Sequence, residues 1–366
     1  MRIIAVANQK GGCGKTTTSI NFSACLAFLQ KKVLLIDLDP QGHSTCGLGI
    51  RGEHCAFSLY DLLSPTIEAR PDITDVACEI NNRFRLLPSY SNLAFLEEEW
   101  MRLASREKML ENFFRQWTGG LNEWDYVVLD CPPNLGLLTA NALHAADEIL
   151  IPVEPSFFSL HGLAKISETL VHVNQKRKIP LRVHALLTLF NPHTSFAKEV
   201  YEEVKKHFQE KLFTAVIHED VAFKEAASAG QSIVRYAPSS TAFQDCFNLA
   251  VEFLEREWDR LLPSSELGWQ NLMANRLGPR RVVGGVLFQF MGKGARWVEI
   301  AGDFNRWIPE TLVPRPTEGL WQKVIPITKG IYRYKYIVDG EWQIDPYHAV
   351  YRANAYGSMD SYLELS

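Results

Sequence analysis

Asn8-Gln9-Lys10-Gly11-Gly12-Cys13-Gly14-Lys15-Thr16-Thr17-Thr18 follows the apolar run Ile3-Ile4-Ala5-Val6-Ala7 and precedes a helical pattern from Ser19 to Gln30. A buried strand, a glycine-rich turn and a helix in that order make a place for a phosphate. Glycines at 11, 12 and 14 let backbone N–H groups converge on an anion, and the helix N-terminus adds its positive end. Lys15 supplies a point charge for β and γ phosphates, and Thr16 offers a hydroxyl to Mg²⁺. The expected fold class is therefore α/β, with a doubly wound, mostly parallel sheet around this turn.

The usual form of such a loop is G-x-x-x-x-G-K-S/T, and here Gln9 stands at the first glycine while Lys10 opens the loop. The run K-G-G-x-G-K-T-T resembles the deviant Walker A motif of the ParA/MinD family of dimerising ATPases. The resemblance implies ATP and Mg²⁺ as cofactors, with Gly11, Gly12, Cys13, Gly14, Lys15, Thr16 and Thr17 around the nucleotide. It also implies that Lys10 reaches across a homodimer interface to the partner's nucleotide. Slow hydrolysis to ADP and phosphate would reset the dimer, and an ATPase-stimulating protein partner is compatible with that cycle.

Two further strands carry carboxylates at their ends. Val33-Leu34-Leu35-Ile36-Asp37-Leu38-Asp39-Pro40-Gln41-Gly42 is apolar until its acids, and Tyr126-Val127-Val128-Leu129-Asp130-Cys131-Pro132-Pro133 repeats the pattern. A carboxylate at the C-terminal end of a parallel strand faces the ligand crevice of a doubly wound sheet. The D-x-D-P-Q-G run resembles the family's second signature, which implies that Asp39 positions or activates the attacking water and that Asp37 helps arrange the Mg²⁺ shell. The second strand has the form of a Walker B motif, so Asp130 would hold Mg²⁺ through water, since this ion keeps several waters and takes few protein carboxylates. Cys131 reads as a buried structural thiol.

Beyond these anchors the spacing predicts a short helix at 59–63, a strand at 84–87 and one long core-facing helix from Leu93 to Trp117 that stops at Thr118-Gly119-Gly120. A helix over 134–146, a strand at 148–153, a helix at 159–173, a strand at 182–189 and a helix at 200–208 continue the alternation. The stretch from His218 to Gly230 and the helix from Ser239 to Leu262 resemble the family's closing segment, so the likeness covers residues 1 to about 260. Relatives that ride on nucleoid DNA commonly read I-P-R-N-V-R-L-x-E-A before that segment. Here Glu219 and Ala222 stand at the two arginine positions and His193 at a third basic one, which argues against non-specific DNA binding. Lys176-Arg177-Lys178 reads as a solvated helix end.

Composition sets outer bounds. At 366 residues the chain exceeds one ordinary core, so two domains are expected. Its formal net charge of −4 supplies no global field for nucleic acid. The seven cysteines form no C-x-x-C pair, which disfavours a disulfide framework or a zinc site and fits a reducing cytoplasm. A strand that begins at residue 2 and the lack of any apolar run near ~18 residues predict neither a signal peptide nor a membrane span.

Turn formers between 263 and 281 mark a linker, and from 282 to 366 the pattern changes to short β-rich runs, the mark of a small antiparallel immunoglobulin-like sandwich. Trp307 lies in the turn Gly302-Asp303-Phe304-Asn305-Arg306-Trp307, and Trp342 follows the hairpin signal Asp339-Gly340. Flat rings exposed at turns suit the apolar C–H faces of glucose. These motifs, with Tyr334-Lys335-Tyr336 and Tyr356-Gly357-Ser358-Met359-Asp360, resemble the glycogen-binding domain of the AMP-activated kinase β subunit, a family 48 carbohydrate-binding module. The resemblance implies an α-glucan partner, with Trp307 and Trp342 as stacking platforms, Lys335 as a hydroxyl donor, and Tyr356, Ser358 and Asp360 in the loop that pins the sugar chain. The last position is commonly Asn, so Asp360 lacks the amide donor.

Two destinations follow from the two motif sets. One is a positioning or scaffold ATPase directed to glycogen; the other is a plasmid or chromosome partition ATPase whose sandwich only binds protein. A membrane switch of the MinD type would need a terminal amphipathic helix, whereas Ser361-Tyr362-Leu363-Glu364-Leu365 reads as a strand. Bacterial tyrosine kinases share the Walker motifs, yet Tyr351, Tyr356 and Tyr362 fall inside the sandwich pattern.

Overall fold

The computed structural model describes residues 1–116, 123–258, 277–282, 284–292, 294–314, 320–348, 350–354 and 357–365, with backbone only for 157–164 and 257–258. The chain divides into two compact units, Met1–Leu254 and Glu255–Ser366. The turn expected at 118–120, most of the expected linker, and Tyr356 lie outside the described residues.

The first unit runs β1 (Arg2–Val6), α1 (Lys15–Phe28), β2 (Val33–Asp37), α2 (His43–Gly47), α3 (Leu59–Leu63), α4 (Ile73–Val76), β3 (Cys78–Asn81), β4 (Phe84–Leu87), α5 (Ala94–Met101) and α6 (Met109–Gln116). It continues through β5 (Tyr126–Asp130), α7 (Leu137–Ala145), β6 (Glu148–Val153), α8 (Phe157–Gln175), β7 (Arg182–Phe190), α9 (Ser195–Phe208) and β8 (Leu212–His218), and closes with α10 (Val221–Ser228), α11 (Ile233–Tyr236) and α12 (Thr241–Trp258). The strands form one sheet in the order β3-β4-β2-β5-β1-β6-β7-β8, parallel except where β3 meets β4. Both faces of this sheet are covered. One apolar cluster contains Ile3, Leu34, Ile36, Val127 and Trp100, and the other Ile4, Val6, Leu35, Val128 and Phe22. Burial on two sides is why the inner strands read as continuous apolar runs rather than alternations.

Three expectations change. The long helix predicted over 93–117 is interrupted: α5 ends at Met101, a turn and a 3-10 segment over Arg106–Lys108 follow, and α6 restarts at Met109. Its apolar spacing is real, with Trp100, Leu110 and Phe114 buried, but Phe95 and Met101 face solvent. Strands β3 and β8 were not anticipated, because both lie at sheet edges where one-sided burial weakens the pattern. The cysteines are all free, yet Cys55 and Cys78 are neighbours: burial and the nearby Cys55 push the Cys78 thiol up to about 11.

The second unit contains β9 (Arg280–Val282), β10 (Gly285–Met291), β11 (Val298–Gly302), β12 (Glu310–Thr311), β13 (Val313–Pro314), β14 (Leu320–Ile325), β15 (Gly330–Val338), β16 (Glu341–Gln343), β17 (Tyr351–Ala353) and β18 (Met359–Leu365). One sheet is β13-β14-β10-β9 and the other β12-β11-β15-β18-β17, with β16 paired to β15. All pairings are antiparallel. Alternation places Val286, Phe288 and Phe290 of one sheet against Val298, Ile300, Tyr334 and Tyr336 of the other. Tyr334 and Tyr336 are fully buried because each hydroxyl finds an acceptor, Asp345 at 2.6 Å and the Gln289 carbonyl at 3.0 Å.

Candidate functional site

The crevice of the first unit opens at the C-terminal ends of β1, β2 and β5. Gly12 and Gly14 adopt φ of 74° and 82°, the left-handed region that a side chain would strain. Helix α1 starts at Lys15 with no side-chain cap, so its first amides face the loop. Thr188 of β7 donates to the Cys13 carbonyl at 2.8 Å and fastens the loop from two strands away in the sheet. Lys15 is buried, and its ammonium donates to the Lys10 carbonyl at 2.8 Å. Thr16 and Thr17, half-buried, follow on the first turn of the helix.

Lys10 is held within its own chain. Its ammonium pairs with Glu154 and donates to Ser156 Oγ at 2.6 Å, both just past β6. Asn8 braces the same corner, donating to the Pro152 carbonyl at 2.7 Å and accepting from the Lys10 amide at 3.2 Å.

Asp37 and Asp130 are paired residues on adjacent strands, and both are fully buried. Asp37 accepts from the Thr45 amide at 2.8 Å and the Thr45 hydroxyl at 2.7 Å. Burial and the neighbouring Asp130 charge nevertheless push its carboxyl up to about 8. Asp130 accepts from Ser19 Oγ at 2.9 Å and Ser44 Oγ at 2.7 Å. Burial raises its pKa too, against the opposing hydroxyls of Ser44, Ser19 and Thr16. Two buried acids side by side make a place that a divalent cation would suit. Among the described residues no group of three or more His, Cys, Asp or Glu gathers as a metal cluster. The donor set, one or two carboxylates plus hydroxyls, fits Mg²⁺, which keeps waters and substrate oxygens in most of its positions.

Asp39 is buried at the crevice wall. It accepts from the Gln41 amide at 2.9 Å, and the exposed His43 ring stands 3.4 Å away. Ser89 Oγ donates to its carbonyl at 2.9 Å, which ties the turn to the end of β4. The residues singled out in the sequence thus converge: Lys10, Gly11, Gly12, Cys13, Gly14, Lys15, Thr16, Thr17, Asp37, Asp39 and Asp130 line one crevice. Ser19, Ser44, Thr45 and Glu154 were missed. Glu154 carried a usable signal, an acid just after an apolar strand, whereas Ser44 follows a turn whose path only the fold reveals.

Other groups are committed elsewhere. Arg177 donates to the carbonyls of Leu143 at 2.8 Å and Ala146 at 2.7 Å and so closes the C-terminus of α7, while Lys176 pairs with Glu107 at 2.6 Å. The N-terminus of α7 is covered by Glu97, which accepts from the Leu138 amide at 3.2 Å.

A second constellation lies on the outer face of the β12-β11-β15-β18-β17 sheet. The rings of Trp307 and Trp342 stand with centroids 6.3 Å apart and planes tilted by 33°. Trp342 is 51% exposed, far more than a core tryptophan. Lys335 Nζ lies 3.0 Å from Ser358 Oγ and 3.2 Å from Asp360 Oδ1. Asp360 differs from its expected place: it is buried, and its carboxylate takes Lys335 and the Asn354 amide at 2.8 Å instead of facing solvent.

A family model described as an AAA domain matches residues 1–183. Sporulation initiation inhibitor protein Soj of Bacillus subtilis is 40% identical over 254 residues, covering 69% of this chain and 97% of its own length. The chain belongs to the Soj/ParA family of P-loop ATPases. The chromosome partitioning protein ParA of Myxococcus xanthus is 36% identical to this ParA-family chain over 258 residues, 70% of the chain and 89% of the relative. Among solved structures, cobyrinic acid a,c-diamide synthase of Mycobacterium smegmatis with bound ADP and magnesium superposes with a TM-score of 0.60 at 28% identity, over 71% of this chain and 96% of that one. Residues 285–366 match the glycogen recognition site of AMP-activated protein kinase, so this ParA-family ATPase carries a glycogen-binding module. Among the described residues no helix is long and apolar enough to cross a membrane.

Proposed function

We propose that this chain is an ATP-dependent dimerising switch that positions a cargo on α-glucan, with residues 1–262 as the ATPase, 263–281 as linker and 282–366 as the glucan reader. The observation that carries the reading is the presence in one chain of a phosphate crevice with buried paired acids and of a platform made by the half-buried Trp307 and the exposed Trp342. ATP with Mg²⁺ is the proposed cofactor pair, and Mg²⁺ when bound would shield phosphate charge and supply a Lewis acid.

Around that pair the chain's own residues have distinct tasks. Gly11, Gly12, Cys13 and Gly14 present backbone amides to the phosphates, and Lys15 swings its ammonium from the Lys10 carbonyl to phosphate oxygens. Thr16 and Asp130 hold the cation side, and Asp37 keeps its partner turn in register through Thr45. Asp39 orients water for in-line attack. Lys10 leaves Glu154 and Ser156 when a second copy of the chain offers its nucleotide, which makes breakage of that ion pair part of the dimerisation step. Free thiols throughout suit a reducing cytoplasm.

At the platform, Trp307 and Trp342 stack on sugar faces. Lys335 and Ser358 present polar edges while Asp360 aims Lys335, and Tyr356 belongs to the same loop by sequence. The partition reading draws on the likeness to Soj and to the chromosome partitioning protein ParA. Glu219 and Ala222 at the arginine positions, together with Arg177 and Lys176 bound within the protein, favour the glucan reading over DNA.

Pelleting the full chain with glycogen and, in parallel, retaining it on duplex DNA, each with and without ATP, separates the two. Glycogen co-sedimentation that disappears in Trp307→Ala/Trp342→Ala is the expected result. ATP-dependent, salt-sensitive DNA retention that disappears in Lys15→Ala, with no glycogen pelleting, would reverse the assignment.

A further inference from the structure

The turn that carries Trp307 is assembled around one carboxylate. Arg306 and Trp307 sit in succession in the left-handed region, at φ 57° and 60°, a backbone course that bulky side chains avoid unless their surroundings impose it. The turn is pressed onto β15: a Cβ on Gly302 would lie 2.5 Å from the Arg333 carbonyl oxygen, so only glycine allows the approach. Asp303 then gathers four donors. Its Oδ2 accepts from the Arg333 amide at 2.8 Å and from Arg333 Nε at 3.2 Å. Its Oδ1 accepts from Arg333 Nη2 at 3.4 Å and from the Trp307 indole Nε1 at 2.9 Å.

The other ring refers to the same strand. Trp342 is carried by β16, where it pairs with Ile337 of β15. Strand β15 therefore serves as a common ruler for both tryptophans, one through the backbone ladder and the other through Asp303. Without the carboxylate the indole of Trp307 would keep its backbone position and lose the bond that sets its plane. Because its N–H is already donated to Asp303, the ring offers a sugar its face alone.

We propose that Asp303 is the positioning residue of the aromatic platform, fixing the Trp307 ring against β15 at the tilt it keeps to Trp342, so that glucan affinity depends on this carboxylate acting through the ring. The inference rests on the glucan reading of the platform. Its consequence is geometric: two faces held at a fixed tilt suit a curved α-linked chain, and a freely turning ring does not.

The test uses the full-length chain with glycogen affinity electrophoresis and near-ultraviolet circular dichroism of the tryptophans. Asp303→Ala is expected to weaken glycogen retention about tenfold, the scale of one oriented aromatic contact, and to abolish the coupled tryptophan signal. Asp303→Asn, which retains an oxygen for the indole N–H, should stay within about threefold of the parent. In a Trp307→Phe background, which has no N–H to hold, adding Asp303→Ala should cost nothing further, whereas a carboxylate that merely keeps the turn folded would cost as much there as in the parent. An unchanged tryptophan signal and unchanged retention in Asp303→Ala would overturn the proposal, as would an equal loss in both backgrounds. If the parent chain retains no glycogen, the glucan reading fails. In that case loss of the coupled signal in Asp303→Ala still supports the clamp, and its persistence refutes it.

Discussion

The proposed phosphate crevice and the proposed tryptophan platform would solve recognition in opposite ways. In the crevice, backbone amides and buried acids do the work: Asp37 and Asp130 are fully buried and the loop's glycines are chosen for their backbone angles. On the proposed platform the candidate groups are side chains, with Trp342 half exposed and Trp307 half-buried. A buried charged site is strongly perturbed by removal of its ligand or one of its charges. An exposed face loses only the contact itself, because its folded state never depended on it.

The largest separation between the two should come from Lys15→Ala. Removal of the crevice ammonium is expected to lower ATP turnover by at least ~100-fold, the scale of losing one charge-stabilising donor, while glycogen pelleting stays at the parent level. Phosphate release and pelleting measured on one preparation check both halves. A joint loss would mean that the platform depends on the crevice.

Next in size is the pH response. The Asp37 carboxyl lies raised from an ordinary 3.8 to about 8, so between those values the folded chain holds a proton that the unfolded chain has released. Stability of the nucleotide-free protein should thus fall as pH rises through that window, and Asp37→Asn should flatten the slope. Thermal unfolding of the first unit followed across pH, with and without Mg²⁺ and ADP, tests the sign. A melting temperature that rises with pH in the ligand-free protein would contradict the buried-pair account.

Trp342→Ala should leave the melting temperature nearly unchanged and reduce glycogen affinity by roughly tenfold, since stacking contributes about 0.5–1.5 kcal/mol beyond area. A large fall in melting temperature would show the ring to be core instead. The smallest effect is expected at Glu154→Ala. Freeing Lys10 from its own chain should raise the ATP-dependent dimer fraction by a few-fold, measured by light scattering, and Lys10→Ala should lower it.

The legibility of the two regions differs in the same way. The glycines and Lys15 announce the crevice because a phosphate loop tolerates few residue types, and the acids of β2 and β5 stand out because they end apolar strands. Thr45, Ser19 and Ser44 carry no comparable mark. Their importance comes from hydrogen bonds across separations as long as that between Ser19 and Asp130, 111 residues. The break between α5 and α6 was hidden for another reason: the helical spacing of Trp100, Leu110 and Phe114 is equally good for one helix or two, and the turn at 102–105 contains neither glycine nor proline.

From residue order alone came the two-part architecture, the parallel sheet, the phosphate loop with its extra lysine and the aromatic turns, because backbone angle, burial and period limit which residues can occupy such places. Tertiary structure decided the rest. It showed Lys10 tied to Glu154 across 144 residues, Asp360 turned inward onto Lys335, Arg177 closing α7, and Asp303 holding Trp307. Those are choices among several partners of suitable charge, and only the packing of distant strands brings one of them within hydrogen-bond reach.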